Sequence, residues 1–572
     1  MKKVEGVTVR HARRFVFKRM DSIREVRRHV ALWVIAIGLI IGASGLQLMW
    51  YQQSYRAIAN AKDGTYAEAV QGPVNTLNPI FANTSAEESA SYLLFSRLLT
   101  YDKSGHLNYD LATSMTISED KTSYTLKMRP DAQWQDGRYV RAKDVVYTVN
   151  LLKNPATRST ISGWNDITAT EIDTMTVEFK LPDVYAAFPH ALNFLPILPE
   201  HILRDVAPGE IRENSFSTKP VGSGPFALRF IQDIDSNVGR SIIHLTRNDT
   251  YYKGAPKLDR FQLHVYASSD AIIRAVTTSE VNAATDLTVA DASKITSDRY
   301  IVERKPINAG AYALFNTTAG IMSDKTVRQA LQAGTDTTAL RKVVGKDTPE
   351  IHLPFITGQV TGDVPAAVPY NKVVAETLLD SAGWKLDGGV RKKDGNLLKL
   401  SVVTTKNNDF EQVLSAMAEQ WRKLGITVTT SIVDPTDPSQ NVVQNILQPR
   451  SYDVLLYQLT IGGDPDVYAY WHSSQASRGF NFSNYSNAMS DDALASARTR
   501  TEPDLRNAKY VTFAKQWMAD APAIGLFQAT TQYVYSKSVH AIPESEVLVS
   551  ATDRYADVLY WSVGDRLVQR TP

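Results

Sequence analysis

Cysteine is missing from all 572 residues. Its absence excludes disulfides, thiolate metal sites, a cysteine nucleophile and a lipid tether on an N-terminal cysteine. The short signatures of bond-making chemistry are missing too: there is no G-x-S-x-G elbow, no H-E-x-x-H helix, no Walker A loop and no G-x-G-x-x-G turn. An enzyme is therefore not expected, nor is a metal or any other cofactor. No repeat of 20–50 residues and no low-complexity tract occurs, which excludes solenoids and arrays. The net charge is only +2, and long apolar runs are confined to one place.

That run, Val30 to Trp50, carries no charged residue over 21 positions, the length that crosses a hydrocarbon layer of about 30 Å. Residues 1–28 before it hold ten Lys/Arg against three Asp/Glu, so the arm is +7 and the remainder −5. Basic blocks can bind nucleic acid, but one that directly precedes an apolar run reads as an orientation signal, and nucleic acid is not an expected partner. The expected topology has a cytoplasmic arm (1–28), a transmembrane signal-anchor helix (29–51) with Trp50 and Tyr51 at the outer interface, a stalk (52–62), and everything beyond facing outward. The competing reading is a cleaved signal peptide at Ala59-Asn60-Ala61, although this site lies far beyond the apolar core.

The remaining 500 or so residues exceed the roughly 250–300 that one hydrophobic core supports, so several lobes are expected. Strand and helix periods alternate along them. Phe261, Leu263 and Val265 interleave with Gln262, His264 and Tyr266, as in a half-buried strand. Leu414, Met417, Trp421 and Leu424 share one helical face before Gly425 stops the helix, and Ile426, Val428, Thr430 and Ile432 resume a strand. The same grammar recurs at Val374-Leu378-Ala382 and at Val327-Leu331, the latter after Ser323 as a plausible N-cap. His244 and His264 sit inside strand patterns and read as hydrogen-bonded structural residues. The fold class is α/β with mixed sheets.

Two motifs stand out from this background. Val221-Gly-Ser-Gly-Pro225 is a rigid turn, with a backbone ligand contact at Ser223 and Gly224 as the alternative. Gly462-Gly463-Asp464-Pro465-Asp466 is a tight polar turn among Tyr457, Tyr468, Tyr470 and Trp471, an aromatic crowding that solute pockets use. Its bland alternative is a loop whose aspartates bond their own backbone.

Several segments, read in order, resemble the extracellular solute-binding proteins of family 5, the peptide- and nickel-binding branch of ABC transporter receptors. They are Asn75-Thr-Leu-Asn-Pro79, Tyr124-Thr-Leu-Lys-Met-Arg129, Trp134-Gln-Asp-Gly137, Ala142-Lys-Asp-Val-Val146, Val221 to Phe226 and Leu245-Thr-Arg-Asn-Asp-Thr-Tyr-Tyr252 with Ala255 to Asp259. Phe315-Asn316 with Val327 to Leu331, Leu378 to Trp384, Trp421 to Ile426, and Tyr452-Asp453 ahead of the Gly-Asp-Pro-Asp turn continue the series.

This resemblance implies a periplasmic-binding-protein-like, two-lobe fold that closes on a ligand. Mapped here, lobe I is about 63–302 plus 524–572, with an inserted subdomain near 86–217, and lobe II is 303–523. It implies a monomeric substrate-binding component of an ABC importer that takes oligopeptide-like solutes, partnered by a permease and separate ATPase subunits and held to the membrane by the N-terminal helix. The candidate substrate-binding residues are Ser223, Gly224, Asn316, Tyr457, Gln458, Thr460, Ile461, Asp464 and Trp471. The chain departs from the peptide-binding pattern at two places. Where relatives carry an acid for the peptide amine there is Ile461, and where they carry a tryptophan there is Gln458, so Asp464 becomes the first candidate for amine capture. Arg141 stands where relatives place a Ser or Thr N-cap, a loss of about 1 kcal/mol. Alternatives are a receptor for a metal chelate, an oligosaccharide or a signalling peptide, a membrane-anchored hydrolase, and a surface adhesin.

Overall fold

The computed structural model describes residues 27–54, 56–60, 64–235, 239–434, 442–477, 479–542 and 548–569. Most of the basic arm, the last residues of the expected stalk and the C-terminal tripeptide thus lie outside the described residues.

Contacts divide the chain into two units. In the smaller one, helix α1 (Arg27–Ser54) extends the expected span at both ends. It is long and apolar enough to cross a membrane, and its large apolar side chains from Val30 to Trp50 are exposed. Where a stalk was expected, Arg56–Asn60 forms a strand antiparallel to Asp565–Gln569. The chain from Gly564 onward accordingly groups with α1, whereas the sequence reading placed it in lobe I. Backbone pairing with a segment 500 residues away supplies the partners that a free stalk would take from water.

The larger unit is built on a ten-stranded sheet: β1 (Thr65–Gln71), β2 (Phe226–Asp235), β3 (Arg240–Arg247), β4 (Arg260–Tyr266), β5 (Ala283–Leu287), β6 (Tyr300–Phe315), β7 (Lys399–Thr405), β8 (Thr427–Val433), β9 (Val454–Thr460) and β10 (Ala523–Ser536). Its spatial order is β8-β7-β9-β6-β10-β5-β1-β4-β3-β2, so the two longest strands lie side by side in the middle. β6 and β10 run through both halves of the sheet. Tyr300 to Pro306 pair with Ser536 to Thr530, the register then slips, and Gly310 to Leu314 resume against Gln528 to Ala523.

Each half has its own cores. One gathers Tyr66, Leu126, Phe261 and Trp561. In the other half alternate residues of β6 part company: Ala311, Ala313 and Phe315 enter one cluster, Tyr312 and Leu314 the opposite one. A strand buried on both faces reads as an unbroken apolar run, as this one does. The same reason corrects the half-buried reading of β4. Phe261, Leu263 and Val265 do face the main core, but Tyr266 enters a satellite cluster on the other side and His264 is buried with it.

Helices flank the sheet. α2 (Ser85–Leu94) is capped by Thr84, whose hydroxyl accepts from the Glu87 N–H at 3.2 Å. α3 (Ala142–Lys153) packs on a separate four-stranded antiparallel sheet made from residues 112–180. α4 (Lys325–Ala333) is capped by Asp324, which accepts from Thr326 N–H at 2.8 Å, and not by Ser323, whose hydroxyl closes the preceding turn on Gly320. α5 (Asn408–Arg422) buries Leu414, Met417 and Trp421, and Gly425 follows at φ +85°.

Candidate functional site

β9 carries three consecutive buried residues, Val454 to Leu456, because both of its faces are covered. Beyond them the cover ends and the two-residue period reasserts itself. Gln458 and Thr460 turn outward while Leu459 stays buried. Around this edge lie three adjoining cavities of about 770, 460 and 550 Å³, all lined by Gln458. Tyr457 and Thr460 each line two of them. The first is walled by Arg450, Tyr470, Phe480 and Phe482; the second by Glu88, Arg97, Thr160 and Ser550; the third by Asp286, Lys406, Asp409 and Thr530. The last two reach across the register slip, touching Ile307 between residues of both halves of the sheet. Burial raises the Asp409 carboxyl to about 6, against the opposing pull of Arg304.

The slip itself is pinned. The Asn308 carbonyl accepts from Ile461 and Gly462 N–H at 2.8 and 3.0 Å, and its side-chain amide donates to the Gly462 carbonyl at 3.0 Å. The polar turn is thereby locked to the crossing strands. Asp464 receives both terminal nitrogens of Arg506, at 2.5 Å each, and accepts the Asp466 N–H. His190, bonded through Nδ1 to the Tyr101 hydroxyl at 2.7 Å, approaches Asp464 to 3.8 Å. Burial, with Arg506 nearby, holds this imidazole below its ordinary pKa although Asp464 opposes the shift. From the same side Tyr185 stacks on Arg498 at 4.3 Å, and Ala186 N–H donates to the Arg498 carbonyl at 2.9 Å. Arg498 closes α6 (Ala488–Arg498), and Arg506 lies on α7 (Pro503–Asp520).

A deep cleft spanned by two long strands is a two-lobe geometry, and the sequence carries its family mark. The model for bacterial extracellular solute-binding proteins, family 5 Middle, matches residues 106–481, more than half of the chain. This chain belongs to that family. The oligopeptide-binding protein AppA of Bacillus subtilis is 26% identical over 493 residues, covering 83% of this chain and 86% of that protein. The structure of Bacillus subtilis AppA in complex with a nonapeptide superposes with a TM-score of 0.73 at 22% identity, over 88% of this chain and 100% of the other. NikZ from Campylobacter jejuni in complex with Ni(L-His) gives 0.73 at 23%, over 87% and 99%. Likeness at these identities establishes the two-lobe α/β fold.

Within this family 5 protein the expected site residues fall into two groups. Tyr457, Gln458 and Thr460 stand on the cleft wall. The others are corrected to structural positions. Ser223 is fully buried, its hydroxyl accepting from Ser96 N–H at 3.2 Å, and a Cβ on Gly224 would lie 2.6 Å from the Leu93 carbonyl oxygen. Asn316 spends its amide on the carbonyls of Arg450 and Tyr452 and its oxygen on Thr318 and Asn484. Ile461 and Trp471 pack in the core, Trp471 edge-on to Tyr312 and Trp517. Asp464 is neutralised by Arg506, so it has no free oxygen edge for an amine.

Sequence reasoning missed Glu88, Arg97, Asp409 and the Ser550–Thr552 turn. The Glu87-Glu88 pair at a helix start was a visible signal, since one acid serves the cap region and the second is surplus. Which of the two faces a cavity depends on how the helix docks. His244 and His264 bond Gln232 and Gln262 through their Nε2 atoms, at 3.0 and 3.1 Å, as structural histidines do.

Proposed function

We propose that this protein is the substrate-binding component of an ABC importer, capturing oligopeptide-like solutes in the cleft and delivering them intact to a membrane permease driven by separate ATPase subunits. The observation that carries the reading is the trio of adjoining cavities meeting at Gln458, beside the two strands that join the lobes. A backbone-lined cleft can bind extended chains by main-chain hydrogen bonds and tolerate varied side chains in watered pockets. Oligopeptide binding is the printed role of AppA, and family membership favours it here. α1 would hold the receptor at the membrane with its binding domain outside. The domain limits go with this reading: lobe I over about 63–302 plus 524–563, lobe II over 303–523, and a monomer as the working form.

Native mass spectrometry of the intact chain purified in detergent tests the reading. The expected result is a non-covalent solute released unchanged on denaturation, together with peptides recovered whole after incubation. Cleaved peptides would overturn it in favour of a hydrolase, and a bound metal chelate or oligosaccharide in favour of a non-peptide receptor.

A further inference from the structure

The cavity of about 770 Å³ differs from its two neighbours in origin and in chemistry. The neighbours draw on both halves of the sheet, whereas every residue lining this one lies between Leu447 and Phe482, within the limits proposed for lobe II. The neighbours mix acids with bases, Glu88 with Arg97 in one and Asp286 and Asp409 with Lys406 in the other. Among the described residues that line the largest cavity, Arg450 is the one charged side chain, and four of the walls are aromatic rings: Tyr457, Tyr470, Phe480 and Phe482.

The rings are held by the protein itself. Phe482 meets Tyr457 and Phe480 edge-on, with centroids 5.5 and 6.1 Å away and interplanar angles of 78° and 84°. The Arg450 guanidinium covers Phe482 at 4.9 Å and donates from one terminal nitrogen to the carbonyls of Ala476 and Gly479, at 3.0 Å each, which ties down the turn that leads to Phe480. Tyr470 gives its hydroxyl to the Thr460 carbonyl at 2.6 Å, so its polar end is already satisfied and its ring serves as wall. Phe480 is the exposed member, 51% accessible, while Phe482 is buried and Tyr457 and Tyr470 are half-buried. A single exposed ring is unremarkable on a surface, but one at the rim of a cavity of other rings is apolar area that a bound ring would take from water.

We infer that this cavity selects an aromatic side chain of the bound solute, so that the receptor prefers peptides carrying Phe, Tyr or Trp. The inference rests on the peptide reading above and adds which side chains are preferred and which residues select them. Aromatic rings gain from edge-to-face and offset neighbours beyond the area they bury, by up to about tenfold in affinity. Arg450 adds a positive charge that disfavours a lysine or arginine side chain in the same place. The volume is that of a small-molecule pocket, with room for a whole ring system and part of the chain that bears it. Gln458 lines this cavity and both of its neighbours, so a side chain seated here leads directly to a backbone lying in the cleft.

The test uses the full-length chain in lipid nanodiscs and an equimolar mixture of pentapeptides, each with one varied residue, at any position, in an alanine and serine background. Retained peptides are released by denaturation and counted by mass spectrometry, after subtraction of those retained by nanodiscs without protein. Peptides varied to Phe, Tyr or Trp should be enriched roughly tenfold over those varied to alanine, and further over those varied to lysine. S477W places a ring of the protein's own in the cavity from an exposed position, and should abolish the aromatic enrichment while alanine peptides still bind. F480A should lower the enrichment severalfold. Equal retention of alanine and aromatic peptides, enrichment of leucine or lysine peptides to the aromatic level, or an enrichment unchanged in both variants would overturn the inference and leave the peptide reading in place. Retention of no peptide at all would overturn both. The comparison among peptides on the unmodified protein needs no variant, so a misfolded variant cannot mask the answer.

Discussion

Glu68 shows at the residue scale what a buried charge requires. Its side chain is fully buried and meets Arg554 at 2.7 and 3.1 Å, with the hydroxyls of Tyr66, Tyr533 and Tyr555 donating to it as well. Removing one member leaves the other charge uncompensated in a dry core. E68Q is accordingly expected to lower stability by about 3–5 kcal/mol, whereas E68L with R554M should recover most of the loss, because the pair's own desolvation penalty disappears with it. Chemical denaturation of the single and double variants checks this. His264 makes a second case. Burial pushes its imidazole down to about 4 although Glu280 opposes the shift. The folded value lies below the ordinary 6.5, so the unfolded chain binds the extra proton first. Its contribution is fully present above pH 6.5 and is lost as pH falls from 6.5 toward 4, by about 3 kcal/mol in all. H264Q should flatten that part of the profile, and melting temperatures measured across the interval would show it. The Glu68 arrangement was not legible beforehand, because Tyr533, Arg554 and Tyr555 lie hundreds of residues away. His264, bonded to Gln262 two residues back, was readable as a structural residue, though not its depth of burial.

At the scale of the element, α3 illustrates how a missing cap is replaced. Arg141 cannot accept a hydrogen bond, which is why a loss of about 1 kcal/mol was expected there. The structure moves the task to Asp144, whose carboxylate accepts from Arg141 N–H at 2.8 Å, from Glu200 N–H at 2.9 Å and from the Trp134 indole at 3.4 Å. One side chain thus closes the helix start and ties it to the next helical turn at Glu200. D144A should cost about 2–4 kcal/mol, more than an ordinary cap, since two partly buried amides and a buried indole lose their acceptor together. A urea titration following tryptophan fluorescence would measure it. The period of α5 was readable because burial on one side writes itself into spacing, whereas on β8 Val428 is buried but Thr430 and Ile432 are exposed. The strand at Arg56–Asn60 was not, because its partner, Asp565–Gln569, is at the far end of the chain.

For the whole molecule, the question is what brings the two lobes together. Gly463 faces Tyr101, and a Cβ added there would stand 2.5 Å from the phenol oxygen and 2.8 Å from a ring carbon. Its backbone is not in the left-handed region, so alanine is free of local strain at this position. G463A should therefore leave each lobe folded and wedge them apart. The expected signs are a larger radius of gyration by solution scattering and roughly tenfold weaker solute binding, as the closed population falls. Y101A in the same background should restore both; an unchanged radius of gyration in G463A would show that the contact does not govern closure. Local spacing determined the α/β class and the apolar helix, since these depend on neighbours in sequence, and short segments read in order carried the resemblance to the family. Of the candidate site residues named from the sequence, Tyr457, Gln458 and Thr460 share one emerging strand and line the cavities. Tertiary structure decided the rest: Asp464 is consumed by Arg506, Ile461 is turned into the core, and Glu88 and Arg97 are left facing a cavity. The physical reason is that a side chain's pairing and exposure are set by whatever the fold docks against it, and those groups come from elsewhere in the chain.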